Sequence, residues 1–140
     1  MRLVPVFAAV AFSGCAPFEG SSERQLALID FGGGSDTVVF VVPDTVLKST
    51  PFEVTVRSYG GGCIRQGDTE VSISANVAEV RPFDSFPVGP QSCTLELRFF
   101  THAATLQFNS AGSATVRVRG RGHAGSGDTI VVRERSIVVR

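Results

Sequence analysis

Apolar and polar residues alternate along much of the chain, in short runs that clusters of turn-forming residues interrupt. Val54 and Val56 alternate with Thr55 and Arg57, and the same period of two recurs in TLELRFF and in ATVRVRG. Because successive side chains of a strand point to opposite faces, each run predicts a β-strand with one apolar and one wet face. The predicted strands cover residues 25–31, 37–42, 52–59, 69–75, 77–83, 94–100, 104–109, 114–120 and 129–140.

The spaces between these runs are rich in Gly, Pro, Ser and Asp, which are the residues of turns. No stretch has the 3.6-residue period of an amphipathic helix. Two sheets packed face to face are the natural way to bury such apolar stripes. The pattern therefore predicts an all-β fold, an antiparallel two-sheet sandwich of about 7–9 strands. Residues 69–83 are expected to form two strands with a break near Asn76, where the apolar parity shifts.

Residues 1–15 have a different pattern. Arg2 precedes an unbroken apolar run from Leu3 to Phe12, and small residues and Cys15 follow it. This is the plan of a signal peptide, and about ten apolar residues span only half of a ~30 Å hydrocarbon core. We expect residues 1–14 to be removed, residues 15–25 to form a polar tether, and residues 26–140 to form the domain.

Phe12-Ser13-Gly14-Cys15 resembles the lipobox of bacterial lipoproteins, with Phe12 in place of the usual Leu. The resemblance implies cleavage before Cys15 and lipid on its thiol and its new amine. Since Ala16 and not Asp follows Cys15, it also implies anchoring to the outer membrane of a two-membrane bacterium. The expected partner is then a membrane, reached through the N-terminal lipid, and the location is the cell envelope. An uncleaved or non-lipid signal is the alternative.

The chain has three cysteines, an odd number for a protein outside the cytoplasm. If Cys15 carries lipid, Cys63 and Cys93 remain as a pair, and in an oxidising compartment they are expected to form a disulfide. These two residues have neither the CxxC spacing nor the nearby histidine that would favour a metal site. We expect no metal and no cofactor.

Two segments resemble the immunoglobulin-like β-sandwiches of bacterial surface proteins. Residues 42–56 are similar to the corner between the first two strands of such modules, and residues 104–120 to the E-to-F corner and the strand after it. The chain lacks a core Trp, and its cysteine pair lies in predicted loops, unlike the strand-to-strand disulfide of antibody domains. The resemblance therefore implies an Ig-like sandwich of the general type.

Composition excludes two classes of protein. Thirteen basic residues balance thirteen acidic ones, which argues against a nucleic-acid binder, because such proteins need a positive excess to displace counterions. An apolar content of 43% argues against disorder.

Candidate catalytic residues are few. The only imidazoles are His102, expected as a polar residue at a strand end, and His123, expected in a glycine turn. Residues 120–125 spell GxGxxG, but a strand follows them where a dinucleotide site needs a helix, so a hairpin is expected. No catalytic residue is assigned and the protein is expected not to be an enzyme.

Two surfaces are candidates for binding. Residues 82–90 hold three prolines and two phenylalanines, Phe83 and Phe86, which are expected in a stiff recognition loop; the alternative is that they cap the core. Arg117, Arg119 and Arg121 alternate on one face and would meet anionic lipid or polysaccharide; the alternative is a solvated strand face.

The sequence thus predicts a lipid-anchored, non-enzymatic module that contacts an envelope protein or a glycan. The competing hypothesis is a small envelope hydrolase or a metal-binding protein.

Overall fold

A computed structural model describes residues 20–30, 40–124 and 127–140 of the 140-residue chain. Within these residues the fold is all-β, with ten strands and no helix, so none of the described segments offers a helix able to cross a membrane. The strands are β1 Ser22–Leu26, β2 Leu28–Asp30, β3 Phe40–Val41, β4 Thr45–Val46, β5 Phe52–Gly60, β6 Arg65–Ser74, β7 Val77–Pro87, β8 Arg98–Leu106, β9 Gly112–Ala124 and β10 Gly127–Val139.

Three long antiparallel pairs form the frame of the molecule: β6 with β7, β5 with β8, and β9 with β10. The N-terminal segment is inserted between two of them. The Ala27 N–H donates to the Pro82 carbonyl at 2.9 Å, and the Ala27 carbonyl accepts from the Arg121 N–H at 2.8 Å. As a result, β1 pairs with the end of β7, and β2 pairs with the end of β9.

The sheet is mixed, which differs from the expected antiparallel arrangement. β7 runs parallel to β9, β2 parallel to β9, and β4 parallel to β10, and hydrogen bonds connect all ten strands. Local alternation specifies which face of a strand is apolar, but it does not specify which distant strand lies alongside. The expectations of purely antiparallel pairing and of 7–9 strands were therefore wrong, while the all-β class is confirmed.

One hydrophobic core gathers side chains from most of the strands. β3, β5 and β8 contribute to it, with Val54, Val56 and Leu106. β4, β7, β9 and β10 also contribute, with Val80 and Val118 among the fully buried residues. The predicted period of two holds in β5 and β9, where each buried valine alternates with an outward residue such as Arg57 or Arg117.

Two predicted boundaries have different outcomes. β6 ends at Ser74 and β7 begins at Val77, and Ala75 adopts a left-handed conformation with φ 51° at the turn, so the expected break near Asn76 is confirmed. Residues 94–100 and 104–109 were expected as two strands. They contribute instead to a single strand, β8, that starts only at Arg98.

Cys63 and Cys93 form the expected disulfide, 30 residues apart in the chain. The bond joins the turn after β5 to the segment before β8, and both of these strands belong to the same antiparallel pair. The chain between the cysteines forms the β6–β7 hairpin. The crosslink therefore closes a loop that contains one of the three long pairs of the frame.

We expect the double variant Cys63→Ser, Cys93→Ser to lose about 3.5 kcal/mol of unfolding free energy, because the unfolded chain regains the entropy of the open loop. Urea unfolding followed by circular dichroism measures this difference. The wild-type protein reduced with dithiothreitol is the control and should match the double variant. A loss below about 1 kcal/mol in both would contradict the assigned role of the crosslink.

Candidate functional site

A cluster of buried polar side chains lies at one end of the core. Ser58 of β5, Asp84 of β7 and His102 of β8 are each 1% exposed or less, and Thr69 of β6 is half-buried beside them. Each buried member continues the inward-facing stripe of its own strand. Ser58 follows Val54 and Val56 at a spacing of two residues, as strand geometry requires. The cluster therefore continues the inward stripes of β5, β7 and β8 with polar side chains.

The Asp84 carboxylate is the centre of this cluster. The Ser58 hydroxyl donates to Oδ2 at 2.8 Å, and the Gly67 N–H donates to Oδ1 at 3.2 Å. His102 Nε2 lies 3.1 Å from Oδ1. A buried carboxylate is tolerated only where hydrogen-bond donors replace its water, and here three different strands supply them.

The other ring nitrogen of His102 also has a partner. Thr69 Oγ1 lies 3.2 Å from Nδ1, and Ser58 Oγ lies 3.1 Å from Nε2. Because the carboxylate accepts and cannot donate, the hydrogen on His102 belongs on Nε2. Thr69 then donates its hydroxyl hydrogen to Nδ1 of the neutral ring, or accepts one from the charged ring.

Serine, histidine and aspartate are the residue types of a hydrolytic triad, but their arrangement here is different. In a triad the imidazole stands between the other two and uses one nitrogen for each. In this cluster Ser58 and Asp84 both face Nε2, and Ser58 donates directly to Asp84. None of the three side chains is exposed to solvent. The arrangement joins β5, β6, β7 and β8 through these side chains.

His102 does not lie where the sequence pattern predicted it. It was expected at a strand end as a polar edge residue, but it lies in the middle of β8 and is buried. The predicted strand covered residues 94–100, so His102 was placed beyond its end. His102, Ala104 and Leu106 share one parity, and this pattern could have placed the imidazole on the inward face. His123 is exposed as expected, but it lies in β9, with Nδ1 3.3 Å from Asp128 Oδ1.

Phe83 and Phe86 lie in β7 and not in the expected recognition loop. Each ring is half-buried under a guanidinium group: the centre of Arg24 is 3.4 Å from the Phe83 centroid, and that of Arg121 is 4.2 Å from the Phe86 centroid. Pro82 is tolerated within the strand because β6 has a bulge at this point, between Gln66 and Thr69. The expected loop is therefore replaced by a strand whose aromatic rings are already covered.

A row of alternating charges crosses the outer face of β1, β6 and β7. Arg24 binds Asp68 through two nitrogens, at 2.8 Å each, and Glu70 at 2.6 Å. Arg81 continues the row, with contacts to Glu70 at 3.3 Å and to Glu79 at 3.9 Å. The hydrogen bonds with Arg24 lower the pKa of the Asp68 carboxyl to about 2. The same contacts raise the pKa of Arg24 above its ordinary value.

The three arginines of the expected basic face do lie on one face of β9, alternating with buried valines. Arg117 binds Glu134 at 2.6 Å. Arg121 binds Asp128 at 3.0 Å and the Gln25 side chain at 2.7 Å. Arg119 is exposed. Acidic partners on β10 thus neutralise much of the positive charge that the sequence placed here.

An apolar cleft of about 320 Å³ lies beside the disulfide. Leu28, Tyr59, Ile64 and Leu97 are among its lining residues. Its shape depends on Gly61, where a Cβ would collide with the Glu96 carbonyl, so that residues 94–97 can cross the turn only if this position is glycine.

Apolar side chains surround the cleft on the solvent side. Leu95, Leu97 and Phe99 are more than half exposed. The Phe99 ring also packs edge-on against Tyr59, with a centroid distance of 5.5 Å. Exposed apolar residues that gather around a concavity are typical of interaction sites.

No group of three or more histidine, cysteine or acidic side chains in the described part of the chain has the arrangement of a metal site. Cys15 and the expected signal segment 1–14 lie outside the described residues. No protein family model, no curated protein and no solved structure matches the chain.

We expect Asp84→Ala to lower the unfolding free energy by at least about 3 kcal/mol, because Ser58, Gly67 and His102 would each lose a buried hydrogen-bond partner. Glu134→Ala is the matched control. It removes an exposed carboxylate from Arg117 and should cost less than about 1 kcal/mol. Urea unfolding measures both variants. Equal losses in the two would contradict the central position of Asp84.

The carboxyl of Asp68 should titrate with a midpoint of about 2, followed by carbon-detected NMR. Because this pKa is lower in the folded state than the ordinary value of about 3.9, the pairing stabilises the fold above pH 4 and is lost as the pH falls towards 2. In Arg24→Gln the midpoint should return towards the ordinary value. An unchanged midpoint in that variant would show that Arg24 is not the cause.

Proposed function

We propose that the protein is a lipid-anchored, Ig-like module of the bacterial cell envelope that binds a protein or a glycan and carries out no catalysis. The disulfide between Cys63 and Cys93 is the observation that carries this proposal. It uses two of the three cysteines and leaves Cys15, which follows an apolar run and small residues. The odd cysteine count then has a chemical explanation.

The position of the disulfide supports an oxidising compartment. Cys93 is exposed and Cys63 is half-buried, so reducing agents would reach the bond in a cytoplasm. An N-terminal signal with Cys15 at its end leads to such a compartment and provides the lipid anchor. With Ala16 after the cysteine, the proposed location is the outer membrane.

The polar cluster supports a role without catalysis. A hydrolase built on Ser58, Asp84 and His102 would need an open path to the serine and a free Nε2 to accept its proton. Both are absent from the arrangement of these three residues, since Nε2 faces Asp84 and all three are buried. The alternative of a small envelope hydrolase is supported by the presence of serine, aspartate and histidine in one cluster, but not by their arrangement.

The apolar cleft is the proposed contact surface for the partner. The other two candidate surfaces already contact their own chain: guanidinium groups cover Phe83 and Phe86, and Glu134 neutralises Arg117. The residues around the cleft, by contrast, are held by the disulfide and present their apolar side chains to solvent. A rigid apolar surface loses little conformational entropy when a partner binds.

An Ig-like sandwich agrees with the observed core. Apolar stripes from two sets of strands meet in a single cluster, as in sandwich domains. The parallel pairs at β2 and β4 are short, the parallel pair of β7 with β9 covers only residues 77–80 of β7, and the three long antiparallel pairs carry most of the sheet. These features support the resemblance seen in residues 42–56 and 104–120.

Cys15→Ser should prevent lipid attachment, and globomycin should block cleavage of the lipidated precursor. In the bacterial host, mass spectrometry should detect Cys15 as an acylated N-terminal residue only in the untreated wild type. In the treated wild type residues 1–14 should remain attached to the lipidated cysteine, and the variant should carry no lipid and leave the membrane fraction. The double variant Cys63→Ser, Cys93→Ser is the control and should keep the lipid. An unmodified Cys15 in the wild type would rule out the anchor.

A further inference from the structure

The second half of β6 is a free sheet edge. In the described part of the chain β6 has a strand partner on one side only, β7. Its first half is attached to β8 by the Gln66 side chain, which donates to the Thr101 carbonyl at 2.8 Å, and by Thr69, which contacts His102. Beyond Thr69 the segment Glu70–Ser74 presents backbone donors and acceptors to solvent.

Apolar side chains accompany this edge. Val71 pairs with the fully buried Val80 and Ile73 with the fully buried Ala78, so both point to the inner face of the sheet. Yet Val71 is 38% exposed and Ile73 is 44% exposed, since no strand of the described residues pairs with β6 on its other side. A new strand added here would remove apolar surface from water as well as pair the backbone.

The free edge also lacks the features that prevent strands from pairing. Glu70–Ser74 contains no Lys and no Pro, and its pairing with β7 is regular, since the bulge lies earlier, between Gln66 and Thr69. Its one charged residue, Glu70, is already bound by Arg24 and Arg81. No uncompensated charge therefore opposes the approach of a second strand.

The free edge of β8 differs from that of β6 in the exposure of its apolar side chains. Its inward side chains, such as Ala104 and Leu106, are already 6% and 1% exposed, so an added strand would gain little apolar burial there. β10 also has β4 beside it only at Val138 and Val139, but Arg133, Glu134 and Arg135 place three charges along that edge. Compared with the edges of β8 and β10, the second half of β6 therefore combines apolar burial with little charge.

We propose that Glu70–Ser74 pairs antiparallel with the same segment of a second copy of this chain, with a two-fold axis at Ser72. This register places Val71 opposite Ile73 of the second copy on the inner face. On the outer face Glu70 lies opposite Ser74 of the second copy, so no like charges meet. The segment is complementary to itself, which favours a second copy over an unrelated peptide.

The proposed contact closes after two chains. A two-fold interface uses the same surface on both copies and leaves neither free edge for a third. The two β6–β7 hairpins become one continuous four-stranded unit. This inference concerns a surface other than the cleft, and it holds whether or not the protein carries lipid.

The register can be tested with Ser72→Cys in the full chain, purified in detergent and oxidised with copper phenanthroline. Residues directly opposite each other have Cα atoms about 4.5–5.5 Å apart, within the range of a disulfide. We expect a covalent dimer on a non-reducing gel. Ser74→Cys is the matched control, because in this register its counterpart lies about 13 Å away along the strand, too far to crosslink.

The apolar contribution can be tested with Ile73→Lys against Val138→Lys, since Val138 is similarly exposed, at 47%, on β10. Sedimentation velocity should show a dimer for the wild type and for Val138→Lys, and at least a tenfold weaker dimer for Ile73→Lys. A wild-type monomer at all concentrations would overturn the proposal. So would a dimer that crosslinks no faster at Ser72→Cys than at Ser74→Cys, or that tolerates Ile73→Lys.

Discussion

The buried carboxylate of Asp84 is the constraint on which the rest of the structure depends. It accepts hydrogen bonds from Ser58 and from the Gly67 N–H, and it lies 3.1 Å from His102 Nε2. Unpaired, such a group would cost several kcal/mol, so the strands that carry its partners have to approach each other in one arrangement. Apolar contacts alone would allow the strands to slide past one another. The hydrogen bonds of this cluster instead fix the strands relative to one another.

The same constraint explains which surfaces remain available. Gly67 and Thr69 hold the first half of β6 in the cluster. The second half lies outside the cluster, and its side chains Val71 and Ile73 are exposed. At the end of β5 and β8, the disulfide and the close approach at Gly61 shape the apolar cleft. The first surface is the one proposed to bind a second copy, and the second is the one proposed to bind a different partner.

Sequence patterns predicted the features that depend on neighbours in the chain: the all-β class, the valine stripes of β5 and β9, the turn at Asn76 and the cysteine pair. They did not predict features that depend on distant contacts. His102 and Asp84 are polar residues at inward positions, and their burial is tolerable because they contact each other and Ser58, Gly67 and Thr69. Phe83 and Phe86 resembled loop residues because the bulge of β6 that accommodates Pro82 leaves no local signature. The parallel pairs likewise join strands that are distant in the chain.

The position of the hydrogen on the His102 ring tests this account most directly. Two-bond proton–nitrogen NMR spectra distinguish the two ring nitrogens and report which of them is protonated. The account predicts a hydrogen on Nε2 at neutral pH, and a shift of both nitrogen signals in Asp84→Asn, because Asp84 faces that nitrogen. A ring protonated on Nδ1 alone would contradict it, because Nε2 would then have no hydrogen to donate to Asp84.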